Sequence, residues 1–391
     1  MKKERTVLIK IFLAYLEIGL TAYGFTILPK LKKMISKHGW LSEEELNEGL
    51  AMVQLYPGPI MFNLATYGAY RARGVIGAFI GTLAFVTPTF VLMVLLSALY
   101  FSAGKIPWVS QVLMGLKAIV VGVILYIAIE LGEKNIRNGR EASILLLSFI
   151  ALIFKVNAVA IVLVAFIAGA IFLRPVQNKN APRDKILQKS SSWTGIIGAL
   201  LVVLVGVVIS FLLKPVIRTM ALSFFKIGAL AFGNGVTILP LIQADAVGHY
   251  HWLTMGEFAD GIALGQITPG PILITAAFIG YKLGGVWAAL LATFAIFSPS
   301  FVFTLFVSEI YSRIKHITYL KGALRGILAA FVGLLAVIVL ELGKIGAAKS
   351  PSMALAAASF ISIKYFKLDV IWIFFGGLLL WAIAVFLGFA P

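Results

Sequence analysis

The chain contains no cysteine and only four histidines in 391 residues. Disulfides, thiol nucleophiles and cysteine metal sites are therefore excluded. His38, His249, His251 and His316 lie in polar connections without metal-ligand spacing, and they read as surface residues. No Gly-x-x-x-x-Gly-Lys-Ser/Thr loop is present, which argues against ATP-driven transport by this chain alone. Paired catalytic carboxylates and a nucleophile beside its base are also missing, so neither an enzyme nor a cofactor is expected. Charge is scarce as well: 13% of residues are charged, against roughly 25% in soluble domains.

What remains is apolar. Hydrophobic residues make up 61% of the chain, and the mean hydropathy is +1.01. Many runs exceed the ~18 residues that indicate a membrane span. The expected fold is an all-α polytopic membrane protein surrounded by lipid. The net charge of +17 would point to nucleic acid in a soluble protein. Here the Lys and Arg residues sit mostly in short connections between apolar runs, so they report topology and not a nucleic-acid partner. Lys2, Lys3 and Arg5 before an apolar run resemble a signal peptide. That run is too long, holds Glu17 and lacks a small-residue cleavage site, so it reads as a retained first span.

Apolar segments fall at 7–29, 47–70, 74–101, 109–132, 142–154 and 157–173. After a basic linker they continue at 194–213, 219–240, 257–281, 285–311, 321–343, 351–363 and 369–390, which makes about 13 helices. Segments 142–154 and 351–363 would be only ~20 Å long. Each is either a separate span or fused with its neighbour into one tilted helix.

The chain repeats itself. Thr26-Ile27-Leu28-Pro29 recurs as Thr237-Ile238-Leu239-Pro240, an offset of 240 − 29 = 211. In the same order Glu45 matches Glu257, Gln54 matches Gln266, Pro57-Gly58-Pro59 matches Pro269-Gly270-Pro271, and Glu130-Leu131-Gly132 matches Glu341-Leu342-Gly343. Such persistent order marks two copies of one unit. The first repeat spans 7–173, a basic linker and a linking helix span 174–218, and the second repeat spans 219–390. With thirteen spans the second copy enters from the opposite face, which predicts inverted-topology repeats. The positive-inside rule favours this arrangement, with a cytoplasmic N-terminus. It leaves the basic stretch 30–37 outside as a loop.

The two Pro-Gly-Pro triplets stand where ordinary membrane helices would continue. Proline lacks an N–H and clashes with the preceding turn, so both predict broken helices. A half-helix is expected to start at each triplet, with Thr268 as its cap and Pro269 at its first position. Such ends present unpaired N–H groups and partial positive charge, and in corresponding positions of two repeats they mark a transporter's binding site. A tetrahedral oxyanion offers only acceptors and needs donors. The candidate binding residues are Gln54, Tyr56, Pro57, Gly58, Pro59 and Asn63 in the first repeat. In the second they are Lys226, Gly233, Asn234, Gly235, Gln266, Thr268, Pro269, Gly270, Pro271 and Thr275. Glu17 and Asp260 are candidates for coupling or ion pairing, since charges within spans are costly and seek a cavity or a partner. For Lys226 two readings stand side by side: an anion-binding cation, or a pair with Glu17 or a snorkelling side chain.

These residues carry a family resemblance. Phe232-Gly233-Asn234-Gly235 with Leu239-Pro240, Trp252-Leu253-Thr254 through Asp260-Gly261, and Ala263 through Pro271 resemble the chromate ion transporter family in its long form with two homologous halves. Phe278-Ile279-Gly280-Tyr281 and Phe297-Ser298-Pro299-Ser300-Phe301 complete the likeness. The first half departs from the family at Tyr23-Gly24-Phe25, where Gly-Gly-Pro is usual. The resemblance implies a secondary transporter of the bacterial inner membrane. It implies chromate efflux and resistance, with sulfate as a competing or exchanged oxyanion. The expectation is alternating access by an antiporter, with an anion channel or a carrier of another small anion as the alternative. A homodimer is compatible with this reading.

Overall fold

The computed structural model describes residues 2–103, 106–174, 193–233 and 235–389. Asn234 and linker residues 175–192 lie outside the described residues. The first repeat comprises α1 (Lys2–Thr21), α2 (Ile27–Lys37), α3 (Glu43–Met52), α4 (Ile60–Ala103), α5 (Pro107–Asn135), α6 (Gly139–Ile153) and α7 (Ala158–Phe172). The linking helix is α8 (Trp193–Ser210). The second repeat comprises α9 (Pro215–Ala229), α10 (Leu239–Gln243), α11 (Met255–Ile267), α12 (Thr275–Ile314), α13 (Thr318–Gly346), α14 (Ser350–Lys364) and α15 (Val370–Phe386). Among the described residues the only strands are β1 (Gly58–Pro59) and β2 (Phe232–Gly233). Among the described residues five helical stretches are long and apolar enough to cross a membrane: 60–103, 107–135, 193–210, 272–314 and 318–346. The protein is an all-α polytopic membrane protein.

Contacts along the helices give their directions. Gly346 packs against Lys117 and Val121, whereas Gly132 faces Val332. Helix α5 therefore runs antiparallel to α13, its own repeat mate, and the two copies are inverted. The end of the bundle where α5 finishes and α13 begins is the near face; the opposite end is the far face. Contacts are also reciprocal. Gly122 meets Ala356, and the mates of those residues, Gly333 and Leu145, meet each other. Such self-complementarity is the mark of a twofold relation, here within one chain.

The short helices are separate. Along α13, Arg325 bonds Glu141 of α6, and Gly333 reaches Leu145 and Phe149, so α6 runs parallel to α13. Gly322 meets Gly169 while Gly326 meets Ala165, so α7 runs back. Each repeat thus lends an antiparallel hairpin to the long helix of the other: α6–α7 lies on α13, and α14–α15 lies on α5. Fusion into one tilted helix is ruled out by these opposed directions.

The segments that contain the breaks differ from the expectation of crossing helices. They dip to mid-depth and return. Tyr15 of α1 stacks on Trp40, just beyond α2, and Glu45 at the start of α3 pairs with Arg71 near the end of the first arm of α4. Both hairpins therefore open on the near face. The chain then reverses at Arg73-Gly74, where Gly74 takes φ 63°, and the second arm of α4 crosses the bundle. The second repeat does the same from the far face: Phe224 lies near Trp252, Glu257 pairs with Lys282, and Gly285 reverses the chain at φ 68°. The basic stretch 30–37 is accordingly not an outside loop. It belongs to amphipathic α2, which buries Leu31, Met34 and Ile35 and returns its lysines to the near face.

Candidate functional site

Four hairpin tips meet at mid-depth, two from each face. The Gly58 N–H donates to the Ala231 carbonyl, and the Gly270 N–H donates to the Ala22 carbonyl at 2.9 Å. β1 pairs in parallel with β2, Gly58 opposite Phe232 and Pro59 opposite Gly233. Each Pro-Gly-Pro thus braces the other repeat's first break. Only glycine fits at these centres. Gly58 and Gly270 have φ of 134° and 100°, and a Cβ would collide with Asn63 at Gly58 and with Thr89 at Gly270.

The local structure corrects one expected cap. Thr268 is the C-cap of α11, in extended conformation, and its hydroxyl donates to the Gly265 carbonyl at 2.9 Å. A residue before proline is driven out of helical backbone, so Thr268 ends one helix and starts none. The next helical turn begins at Ile272, after Pro271, and Thr275 donates to the Ile272 carbonyl. Pro269 lies in the bend at 268–270, its carbonyl accepting from Thr89. In the first repeat α4 starts at Ile60, directly after Pro59.

Between the tips lies a cavity of about 50 Å³, walled by Gly24, Pro59, Gln266, Thr268, Gly270 and Pro271, with Ile127 of α5 beside them. That is several times the roughly 10–15 Å³ needed for one water, which gives room for a small inorganic ion. Gln266 is 9% exposed, and its Nε2 has no partner. An unmade bond on a buried amide is costly, and Gln266 is one of the residues that line the cavity. The turn at Ile272 opens in the same wall, and a helix start leaves its first N–H groups without intrahelical partners. Gly235 abuts Ile272 and Leu273 from behind.

A larger vestibule of about 1200 Å³ leads from the tips to the near face. Gln54, Tyr56, Phe232 and Gly233 form its floor, and Lys134, Arg137, Lys315, Lys321 and Arg325 stand around it with Glu130 and Glu133. Met61 lines both spaces. The Tyr56 hydroxyl donates to Thr304 at 3.0 Å, and Thr304 in turn reaches Asn63. The Nδ2 of Asn63 and the hydroxyl of Ser300 are buried without partners beside Gly58. Pro57 is half-buried at the same tip.

The three charges expected from the sequence, Lys226, Glu17 and Asp260, line neither space. Lys226 pairs with Asp245 at 2.7 Å, and Ser223 donates to the same oxygen. It lines neither space, and its partner is not Glu17. Glu17 is exposed on α1 and has no ion pair among the described residues. Asp260 is buried on α11; its Oδ2 lies 3.1 Å from Lys117 Nζ and 2.9 Å from the Tyr100 hydroxyl. The sequence reading missed both pairings and the basic vestibule. Asp245 sits in a stretch that hydropathy treats as a loop, and Lys117 is remote from Asp260 along the chain.

Comparison with known proteins agrees with this architecture. The chain is 30% identical over 339 residues to a chromate transport protein of Cupriavidus metallidurans, which covers 86% of this chain and 82% of that one. A chromate transport protein of Pseudomonas aeruginosa is 29% identical over 364 residues, 90% of this chain and 85% of its own. An uncharacterized transporter of Methanocaldococcus jannaschii is 30% identical over 343 residues, 87% and 85% respectively. No solved structure matches the chain. The family model described as chromate transporter matches residues 9–170 and 218–382, one stretch for each inverted repeat, and the chain belongs to that family.

Proposed function

We propose that this protein is a secondary active transporter that carries a tetrahedral oxyanion, chromate, through the cavity between the hairpin tips, with sulfate as competing or exchanged anion. The observation that carries the reading is Gln266, which lines a cavity of inorganic-ion size and whose buried amide donor has no partner. The basic vestibule supports it, since clefts lined by one sign of charge concentrate the opposite ion. The near face holds the basic ends of the helices and is read as cytoplasmic by the positive-inside rule. The membrane would be the bacterial inner membrane, and entry from the near face would fit efflux. Alternating access follows from the inverted repeats: one face is open through the vestibule, and the exchange of conformations between copies would open the other.

The test is counterflow in proteoliposomes. Labelled chromate uptake should saturate and rise when sulfate is trapped inside, and Gln266→Leu should weaken chromate binding by about tenfold, the loss of one good hydrogen bond to a charged ligand. Non-saturating flux without exchange would favour an anion channel. Wild-type binding in Gln266→Leu would remove the cavity from the mechanism.

A further inference from the structure

The Lys117–Asp260–Tyr100 cluster lies on the line that leaves the cavity away from the vestibule. Helix α5 orders the three places. Residues 130–137 border the vestibule and Ile127 borders the cavity. Lys117 comes ten residues nearer the far face, about 15 Å along the axis. Helix α11 agrees: it descends from the far face and carries Asp260 about 9 Å, six residues, before Gln266. Tyr100 joins from the far end of α4. The cluster therefore stands between the cavity and the far face, and it is the only ion pair of these two helices among the described residues whose carboxylate is buried.

Its geometry is lopsided. Asp260 Oδ2 takes both the ammonium and the phenol, whereas Oδ1 is buried and accepts nothing. A buried ion pair kept for structure alone is expected to satisfy its remaining lone pairs, because desolvation otherwise outweighs the attraction. The counterpart in the other repeat differs. Glu48 matches Asp260, Tyr311 matches Tyr100, and the match of Lys117 is Leu328, which lines the open vestibule. Glu48 instead faces Lys315 at 3.7 Å. The register position of Lys117 on the long inner helix therefore carries a cation in the first repeat alone, while on the near side the cation beside the acid is Lys315, at the end of α12.

We propose that Lys117 is a second anion-binding group on the far-side path, and that the Asp260 carboxylate is the internal anion that occupies it until the transported oxyanion displaces it. This rests on the transport reading above. The exchange conserves charge at Lys117: an ammonium without any counter-ion is expensive within a span, so the carboxylate leaves as the oxyanion arrives. The carboxylate then faces the far-side path, where opening admits water. In the resting state the same contact shuts that path.

The experiment compares wild type with the neutral pair Lys117→Met/Asp260→Asn, which removes both charges together and leaves no orphan charge. Chromate binding at the cavity between the tips should stay within about twofold of wild type, because Lys117 does not line it, while loss of the second binding group should lower counterflow by more than about tenfold. Wild-type counterflow in the double variant would overturn the proposal. Loss of chromate binding by wild type itself would instead count against the cavity reading, so the two failures are distinct. A second measurement keeps both charges and does not depend on that variant folding. The chain has no cysteine, and a Cβ at Gly256 would lie 3.9 Å from Lys117 Nζ. In Gly256→Cys, sulfate should protect the thiol from an anionic thiol reagent and leave the rate with a neutral reagent unchanged. Equal rates with and without sulfate for both reagents would overturn the proposal.

Discussion

Gly122 of α5 lies so close to the Ala356 carbonyl of α14 that a methyl group at Gly122 would strike it. Backbone meets backbone there, the close approach that small residues permit between membrane helices. The mate contact, Gly333 on Leu145, is equally tight. Overpacking a tight site costs about 1–3 kcal/mol. Gly122→Leu and Gly333→Leu should each lower the thermal unfolding midpoint in detergent, whereas Gly343→Ala, with open space around it, should not. Equal midpoints for all three would contradict the swapped-hairpin packing.

The hairpin mouths are pinned by matching ion pairs, Glu45–Arg71 on the near face and Glu257–Lys282 on the far face. Burial pushes the Glu45 carboxyl up, but the Ser42 backbone N–H and the Arg71 guanidinium outweigh it, and the carboxyl lies below the ordinary value. A depressed carboxyl contributes stability that is present above the unfolded pKa and lost as pH falls through the folded one. Glu45→Gln should therefore cost about 0.5 kcal/mol at neutral pH, in the range of exposed pairs. The gap from wild type should close as pH falls through and below the ordinary carboxylate range. Unfolding midpoints measured across that range would show a constant gap if the pair contributed nothing.

Lys226 serves Asp245 and not the cavity. Lys226→Ala should reduce thermal stability, because it leaves the Asp245 carboxylate in apolar surroundings without its cation. Chromate affinity should not change. Titration of the purified variant by equilibrium binding decides the matter; a large loss of affinity would return Lys226 to the binding site.

The vestibule's lysines should act on arrival more than on residence. Charges at the rim of a site change association rate and its salt dependence. Lys321→Glu is expected to slow initial chromate uptake several-fold at about 0.01 M ionic strength, and the defect should fade near 1 M, where the screening length is about 3 Å. A defect that persists unchanged in high salt would mean that Lys321 acts through structure.

Much of this architecture was readable from residues alone. The paired Pro-Gly-Pro triplets located the tips, and the repeat offset with the charge bias gave the inversion. The doubling back of the broken segments was not readable, because hydropathy measures apolarity and not direction, and the runs 7–29 and 47–70 are long enough to cross. One signal was present: Lys30, Lys32, Lys33 and Lys37 sat on the wrong side for the positive-inside rule. Three apolar residues at helical spacing, Leu31, Met34 and Ile35, would have folded that stretch into α2. The donor at Gln266 was legible from its place beside the triplet. The Lys117–Asp260 contact was not, since no local periodicity connects α5 with α11.

The swapped hairpins also impose an order on biogenesis. Helices α6 and α7 are complete at residue 172, but α13, on which they lie, ends at residue 346. At ribosomal rates of about 5–20 residues per second, that is a wait of roughly 9–35 seconds. Throughout it the hairpin stands in the bilayer with the face meant for α13, Leu145, Phe149, Ala165 and Gly169, turned toward lipid, and Glu141 has no Arg325. The first half of the chain is synthesised into a membrane that must hold it, unfinished, until the second half arrives.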